Sequence, residues 1–166
     1  MDFQCLGTAD GHLDFGIFGK PKFQQFLKEH PGIRLVVTAQ LPESGKLRRY
    51  YEGAIIPLVT FYQEGMDHRN GDDRRQVREW LKTEFNGQMV EIGGKMHVVG
   101  KSTSGREVLN PFVERVVDWL TENYAPPAEA LTPKKYKEWR DTIFPFGGPD
   151  NYIDYLLEIG LLRVHS

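Results

Sequence analysis

Between Glu107 and Tyr124 the residues Val108, Phe112, Val113, Val116, Trp119 and Leu120 recur at the spacing of one helical face, and Pro126-Pro127 closes the run. An apolar stripe of that length must be covered by other elements, so the chain has to build a helix-containing core around it. The material is sufficient: 166 residues, 40% hydrophobic and 27% charged, which excludes disorder throughout. No apolar run approaches the roughly 20 residues of a membrane helix. The first residues carry neither a basic region nor a long apolar one, so no signal peptide is expected and a soluble cytoplasmic protein is. Cys5, the single cysteine, cannot close an internal disulfide or hold a structural zinc by itself, and no cofactor motif stands out.

Short strands are expected at Phe3–Thr8 and His12–Phe18. A helix starts at Pro21, carries Phe23, Phe26 and Leu27 on one face, and stops at His30-Pro31-Gly32. Ile33–Ala39 is β-branched and bounded by Gly and Pro, the pattern of a strand. Ser44 is a candidate cap for a helix from Lys46 to Gln63, with a kink at Pro57. Asp72 or Asp73 can cap a second helix over Asp73–Phe85, with Val77, Trp80, Leu81 and Phe85 inward. Met89–Ile92 and Met96–Val99 form a hairpin bent at Gly93-Gly94 and Lys95. Beyond Tyr124, helices are expected over Pro133–Ile143, capped by Thr132, and Asn151–Ile159, stopped by Gly160.

The formal charge is −2, unevenly spread: residues 31–106 hold twelve Lys/Arg against nine Asp/Glu, and residues 107–166 six against ten. A basic middle and an acidic end allow a polyanion site in the middle. Gly100-Lys101-Ser102-Thr103 looks like the end of a phosphate-binding loop, but five residues separate Gly94 from Gly100 where four are required, and they read as strand. Asp67, His68, Asp72 and Asp73 could surround a divalent cation, although acids before a helix ordinarily serve as caps. Basic clusters carry more: Lys46, Arg48 and Arg49 beside Tyr50 and Tyr51; Arg74, Arg75 and Arg78 near Trp80; and Lys95, Lys101 and Arg106 in a stretch with no acid. Cations that track phosphates and aromatics that stack on bases are how single strands are bound. In the loop Lys101–Arg106, the hydroxyls of Ser102 and Thr103 can donate to phosphate as well. The ordinary alternative makes the aromatics core and the arginines a solvated face.

The stretch from Arg48 to Tyr124 resembles the phage recombination-mediator family called Orf or NinB. The resemblance is carried by Val36–Gln40 ending in Thr-Ala-Gln, by Arg49-Tyr50-Tyr51-Glu52-Gly53-Ala54-Ile55-Ile56-Pro57, by Val77-Arg78-Glu79-Trp80-Leu81-Lys82, by Val98-Val99-Gly100-Lys101-Ser102-Thr103-Ser104 and by the long helix that follows. At the first helix this chain has Gly45-Lys46-Leu47-Arg48 where relatives carry a Ser/Leu-x-Gln-Asn stretch. The resemblance implies a non-enzymatic, dimeric accessory protein of phage recombination. Such a protein binds single-stranded DNA and the host's single-strand binding protein, and helps load a recombinase or annealing protein. The matched positions are Arg48, Arg49, Lys101, Ser102, Thr103 and Ser104, with Arg106 in the same loop.

The expected fold is α+β: a small antiparallel or mixed sheet from Phe3–Thr8, His12–Phe18, Ile33–Gln40 and the hairpin, packed with helices, with an acidic helical extension. Residues 1–124 would form the DNA-binding domain and 125–166 the extension. The nucleic-acid contacts would be Lys46, Arg48, Arg49, Lys95, Lys101, Ser102, Thr103 and Arg106, with no catalytic residue and no metal. Two other functions fit the residues: a metal-dependent DNA nuclease using Asp67–Asp73, and a protein-interaction module working through residues 126–166.

Overall fold

The computed structural model describes residues 5–7, 12–34 and 45–164, in two compact units that divide between Ala39 and Gln40. The architecture is α+β and mainly helical. Among the described residues the strands form two separate antiparallel pairs, not the single sheet expected from the sequence.

In the first unit β1 (Leu6–Gly7) pairs with β2 (Leu13–Asp14), and α1 spans Gly16–Glu29. The strand expected to reach Phe18 therefore ends at Asp14, and the helix begins well before Pro21. Phe15 supplies a reason: its ring stacks on Phe23 at 4.2 Å, a contact that closes over the first turns of a helix. Pro21 is the sixth residue of α1 and has no N–H to give the carbonyl four residues back, yet the helix runs through it. His30 ends the helix, its backbone N–H donating to Phe26 O at 3.1 Å. The strand expected over Ile33–Ala39 lies largely outside the described residues, as do Val36–Gln40 and the proposed Ser44 cap.

The second unit is built on one helical run: α2 (Gly45–Tyr50), a π-turn over Tyr51–Ile55, and α3 (Ile56–Tyr62). Pro57 has no N–H to donate, and the ladder widens just ahead of it, with Ile56 N–H reaching back to Tyr51 O. The expected disruption thus takes the form of a π-turn. This run is deeply buried, with Tyr51, Ala54, Ile55, Ile56, Leu58 and Val59 at 0% exposure.

Around it pack α4 (Gly71–Asn86), α5 (Arg106–Tyr124), α6 (Pro133–Glu138) and α7 (Tyr152–Glu158). The cap of α4 is Asn70, not Asp72 or Asp73: its Oδ1 accepts from the N–H of Asp72 at 2.8 Å and of Asp73 at 3.4 Å. Asp72 and Asp73 fall in the first turn, where negative charge suits the helix dipole. β3 (Gly87–Ile92) and β4 (Lys95–Gly100) form the expected hairpin, with Gly93 and Gly94 both at positive φ as a type I′ turn demands. Thr132 sits at the cap position of α6 but donates its hydroxyl to Ala128 O instead of accepting from the helix. α6 runs on through a π-turn over Trp139–Ile143 and a short 3₁₀ turn over Phe144–Phe146.

The C-terminal helices do not form a unit apart from the domain. Tyr136, Trp139, Tyr152, Ile153, Tyr155 and Leu156 all join the core built on α2–α3 and α5. Tyr50 Oη donates to Leu131 O at 2.6 Å, and Tyr152 Oη to Ala130 O at 3.1 Å. The boundary expected at Tyr124 is therefore replaced by one near Ala39. Apolar burial is the physical reason: each large side chain so buried contributes roughly 1.5–3 kcal/mol, and the stripes of α6 and α7 have the core of α2–α3 as their cover.

Candidate nucleic-acid interface

Arg48 stands one turn into α2, and the segment from Lys101 to Gly105 joins β4 to α5. Fifty-five positions apart, the two meet: Arg48 Nη2 donates to Thr103 O at 2.8 Å and Nη1 to Thr103 Oγ1 at 3.3 Å. Thr103 is buried, whereas Lys101, Ser102, Ser104 and Arg106 are exposed around it. The loop is held from a second side by α4, whose last residue, Asn86, accepts from Lys101 N–H at 2.9 Å. The Asn86 side chain donates to Lys101 O at 3.4 Å and to Ser102 O at 3.2 Å. Within the loop Ser102 Oγ accepts from Ser104 N–H at 3.2 Å, tightening the turn.

Glu52, one helical turn beyond Arg48, ties the third basic cluster to the same place. Its carboxylate accepts Arg78 Nη2 at 2.5 Å and Nε at 3.0 Å, and lies 3.9 Å from Arg48 Nη1. Arg78, Glu52, Arg48 and Thr103 thus form a chain across α4, the π-turn, α2 and the loop. Glu52 and Asn86 escape the sequence reading. The Arg48–Glu52 spacing of four was visible in it, but the partnership with Arg78 needs the fold.

Of the eight residues expected to meet nucleic acid, the structure gathers most in one region. Lys46 and Arg49 lie exposed on α2, next to Arg48. Lys101 and Ser102 lie exposed in the loop that Arg48 anchors, Arg106 is exposed just past it at the start of α5, and Lys95 lies at the far end of β4. Arg48 and Thr103 face each other and brace the site. Arg106 opens α5, where a cation sits against the positive end of the helix dipole, and the cap residue Gly105 offers no side-chain acceptor. Such a cation is poorly placed for helix stability and well placed for an anion.

The aromatic residues of the basic clusters are elsewhere. Tyr50 and Tyr51 are core residues at 5% and 0% exposure, and burial pushes the Tyr50 hydroxyl up to about 12. Trp80 is 40% exposed but rests edge-on against Trp119 at 5.2 Å, while Arg78 reaches to Glu52. Base stacking by Tyr50 or Tyr51 is accordingly set aside.

The carboxylates considered for a metal are engaged by neighbouring N–H groups and cations. Asp73 Oδ2 accepts from Asp67 N–H at 2.9 Å, and Asp67 Oδ1 from Arg69 N–H at 2.8 Å. Asp72 pairs with Arg75 at 3.1 Å, and His68 Nε2 lies 3.0 Å from Asp154 Oδ1. Among the described residues no three metal-ligating side chains come together. A shallow cavity of about 620 Å³ borders this loop, lined in part by Phe61, Tyr62, Met66 and Leu157. No helix among the described residues is long and apolar enough to cross a membrane. Comparison with protein-family models, with curated proteins and with solved structures yields no match.

Proposed function

We propose that the chain is a single-stranded-DNA-binding accessory protein of phage-type recombination, acting as a homodimer alongside the host's single-strand binding protein to help load a recombinase or annealing protein. One observation carries this reading: the contact between Arg48 and Thr103 brings the basic start of α2 and the basic, hydroxyl-rich loop before α5 into one patch. Lys46, Arg49, Lys101 and Arg106 then contact phosphates as exposed cations, and Ser102 donates a hydrogen bond to them. Arg48 and Thr103 act as positioning residues that hold the loop against the helix. The resemblance to the Orf/NinB family supports the biological setting, and the patch supports the ligand.

The test is fluorescence anisotropy of labelled single-stranded and duplex oligonucleotides across a salt series, with and without magnesium, the DNA being checked afterwards on a denaturing gel. Binding is expected to favour the single strand and to weaken with salt, with the DNA intact. Arg49→Glu and Lys101→Glu should each weaken it regardless of sequence and lower the salt slope by about 1 or more. Unchanged affinity in both variants would refute the site, and magnesium-dependent shortening of the DNA would replace the reading with a nuclease.

A further inference from the structure

The β3–β4 hairpin sorts its side chains by face. Its register pairs Gln88 with Val99, Val90 with His97 and Ile92 with Lys95, and it pairs Gly87 with Gly100, Met89 with Val98 and Glu91 with Met96. Because side chains alternate along a strand, the first three pairs share one face and the last three the other. The second face abuts α4 at its base. A Cβ at Gly100 would lie 2.7 Å from Lys82 Cβ, and one at Gly87 would run into Thr83 O. The first face, on which Val90 and Val99 are half-buried and the other side chains exposed, leads toward the loop, since Lys101 N–H continues the ladder by donating to Asn86 O.

The two faces differ in charge. Glu91 is the single acid between Gly87 and Arg106, and it stands on the α4 face with Met89, Val98 and Met96. Lys95, His97 and Val99 follow one another on the acid-free face at intervals of about 6.7 Å, and Lys101 comes just past the end of β4. Between the cations, Ile92 is 57% exposed and His97 is exposed, an apolar surface and a ring that bases can lie against.

We infer that this hairpin face, from Lys95 through His97 to Lys101, is a track that takes a single-stranded polynucleotide lengthwise. The inference rests on the function proposed above and extends its site from the loop along β4. Charge complementarity identifies the occupant: an acid-free cationic row fits a polyanion, and the exposed Ile92 and His97 fit one whose bases are unstacked, which a duplex does not present.

Adjacent positions on opposite faces provide the test. His97→Glu and Met96→Glu each place one acid at an exposed site, so they change the formal net charge alike. With fluorescein-labelled oligothymidylate at low salt, His97→Glu is expected to weaken binding about tenfold or more, and Met96→Glu to leave it within about twofold. Lys95→Gln, a milder change at the tip, should lower the salt slope by about 1. Equal losses in His97→Glu and Met96→Glu would show a non-local charge effect and overturn the track. Full binding by His97→Glu would overturn it too, while leaving the loop site standing if Lys101→Glu still fails to bind. If the unaltered protein binds no oligonucleotide but captures a polyglutamate peptide, the nucleic-acid reading itself falls, and the track with it.

Discussion

Arg48 and Arg49 are neighbours with the same chemistry and opposite surroundings. Arg48 spends its guanidinium on Thr103 and Glu52, whereas Arg49 is exposed at the helix surface. Hydrogen bonds to charged groups contribute about 1.5–3 kcal/mol, so Arg48→Met should lower stability by about that much in urea denaturation. Arg49→Met should stay within about 0.5 kcal/mol of the unaltered protein, as exposed substitutions usually do, while still weakening DNA binding. Equal stability losses in the two variants would show that Arg48 does not brace the loop. Sequence reading could identify both residues as basic and helix-borne. It could not tell them apart, because what separates them is a contact with a residue 55 positions away. Tyr50 and Tyr51 teach the same lesson in reverse: beside a run of cations they read as possible stacking platforms, yet the same two positions are also consistent with a helix face that enters the core, which is where they lie.

Elements were most readable where local chemistry alone decides them. Gly93-Gly94 permits the positive φ of a type I′ turn, and the hairpin forms where that pair predicts. Local signals that competed were harder to rank. Asn70, Asp72 and Asp73 are all good caps, and Asn70 takes the role because Asp73 is occupied with Asp67 N–H and Asp72 with Arg75. The loop following α3 is in turn stapled to α7 by long-range pairs that spacing cannot reveal: Asp154 Oδ1 accepts Arg69 Nη2 at 2.7 Å and lies within reach of His68. Burial pushes the Asp154 carboxyl up, but the hydrogen bonds from Arg69 and His68 outweigh it and hold the group below the ordinary carboxylate range. A carboxyl with a lowered folded-state pKa stabilises fully above its unfolded value of about 3.9 and loses that contribution as pH falls through the folded value. Asp154→Asn should therefore be less stable at neutral pH, and the difference from the unaltered protein should shrink as urea midpoints are followed down toward pH 3. A difference that stays constant over that range would mean that the Asp154 charge plays no part in the staple.

At the scale of the whole molecule the question is whether residues 126–166 are an appendage or part of what folds. Their acidic surface made a separable extension reasonable, since charge balance is visible in a sequence and burial of the opposite face is not. The packing answers it within the second unit. Tyr136 lies against the backbone of the π-turn so closely that a Cβ on Gly53 would fall 2.5 Å from its hydroxyl oxygen. Tyr152 and Ile153 are fully buried in the core that contains Tyr51 and Phe112. The backbone carbonyls of Ala130 and Leu131 accept the tyrosine hydroxyls that would otherwise be buried without partners. Removing residues 126–166 takes all of this away at once, uncovering the flank of α2–α3 and leaving Tyr50 without its acceptor. Truncation after Ala125 should abolish cooperative thermal unfolding and leave a collapsed, partly helical chain that binds a hydrophobic dye. Gly53→Ala should disturb the same contact from the other side, lowering the melting temperature of the full-length chain through overpacking against Tyr136. A truncated protein that melts in one sharp transition would restore the division at Tyr124. The DNA experiments would then have to be repeated on residues 1–125 alone, since the patch formed by α2, the loop and β4 lies entirely within them.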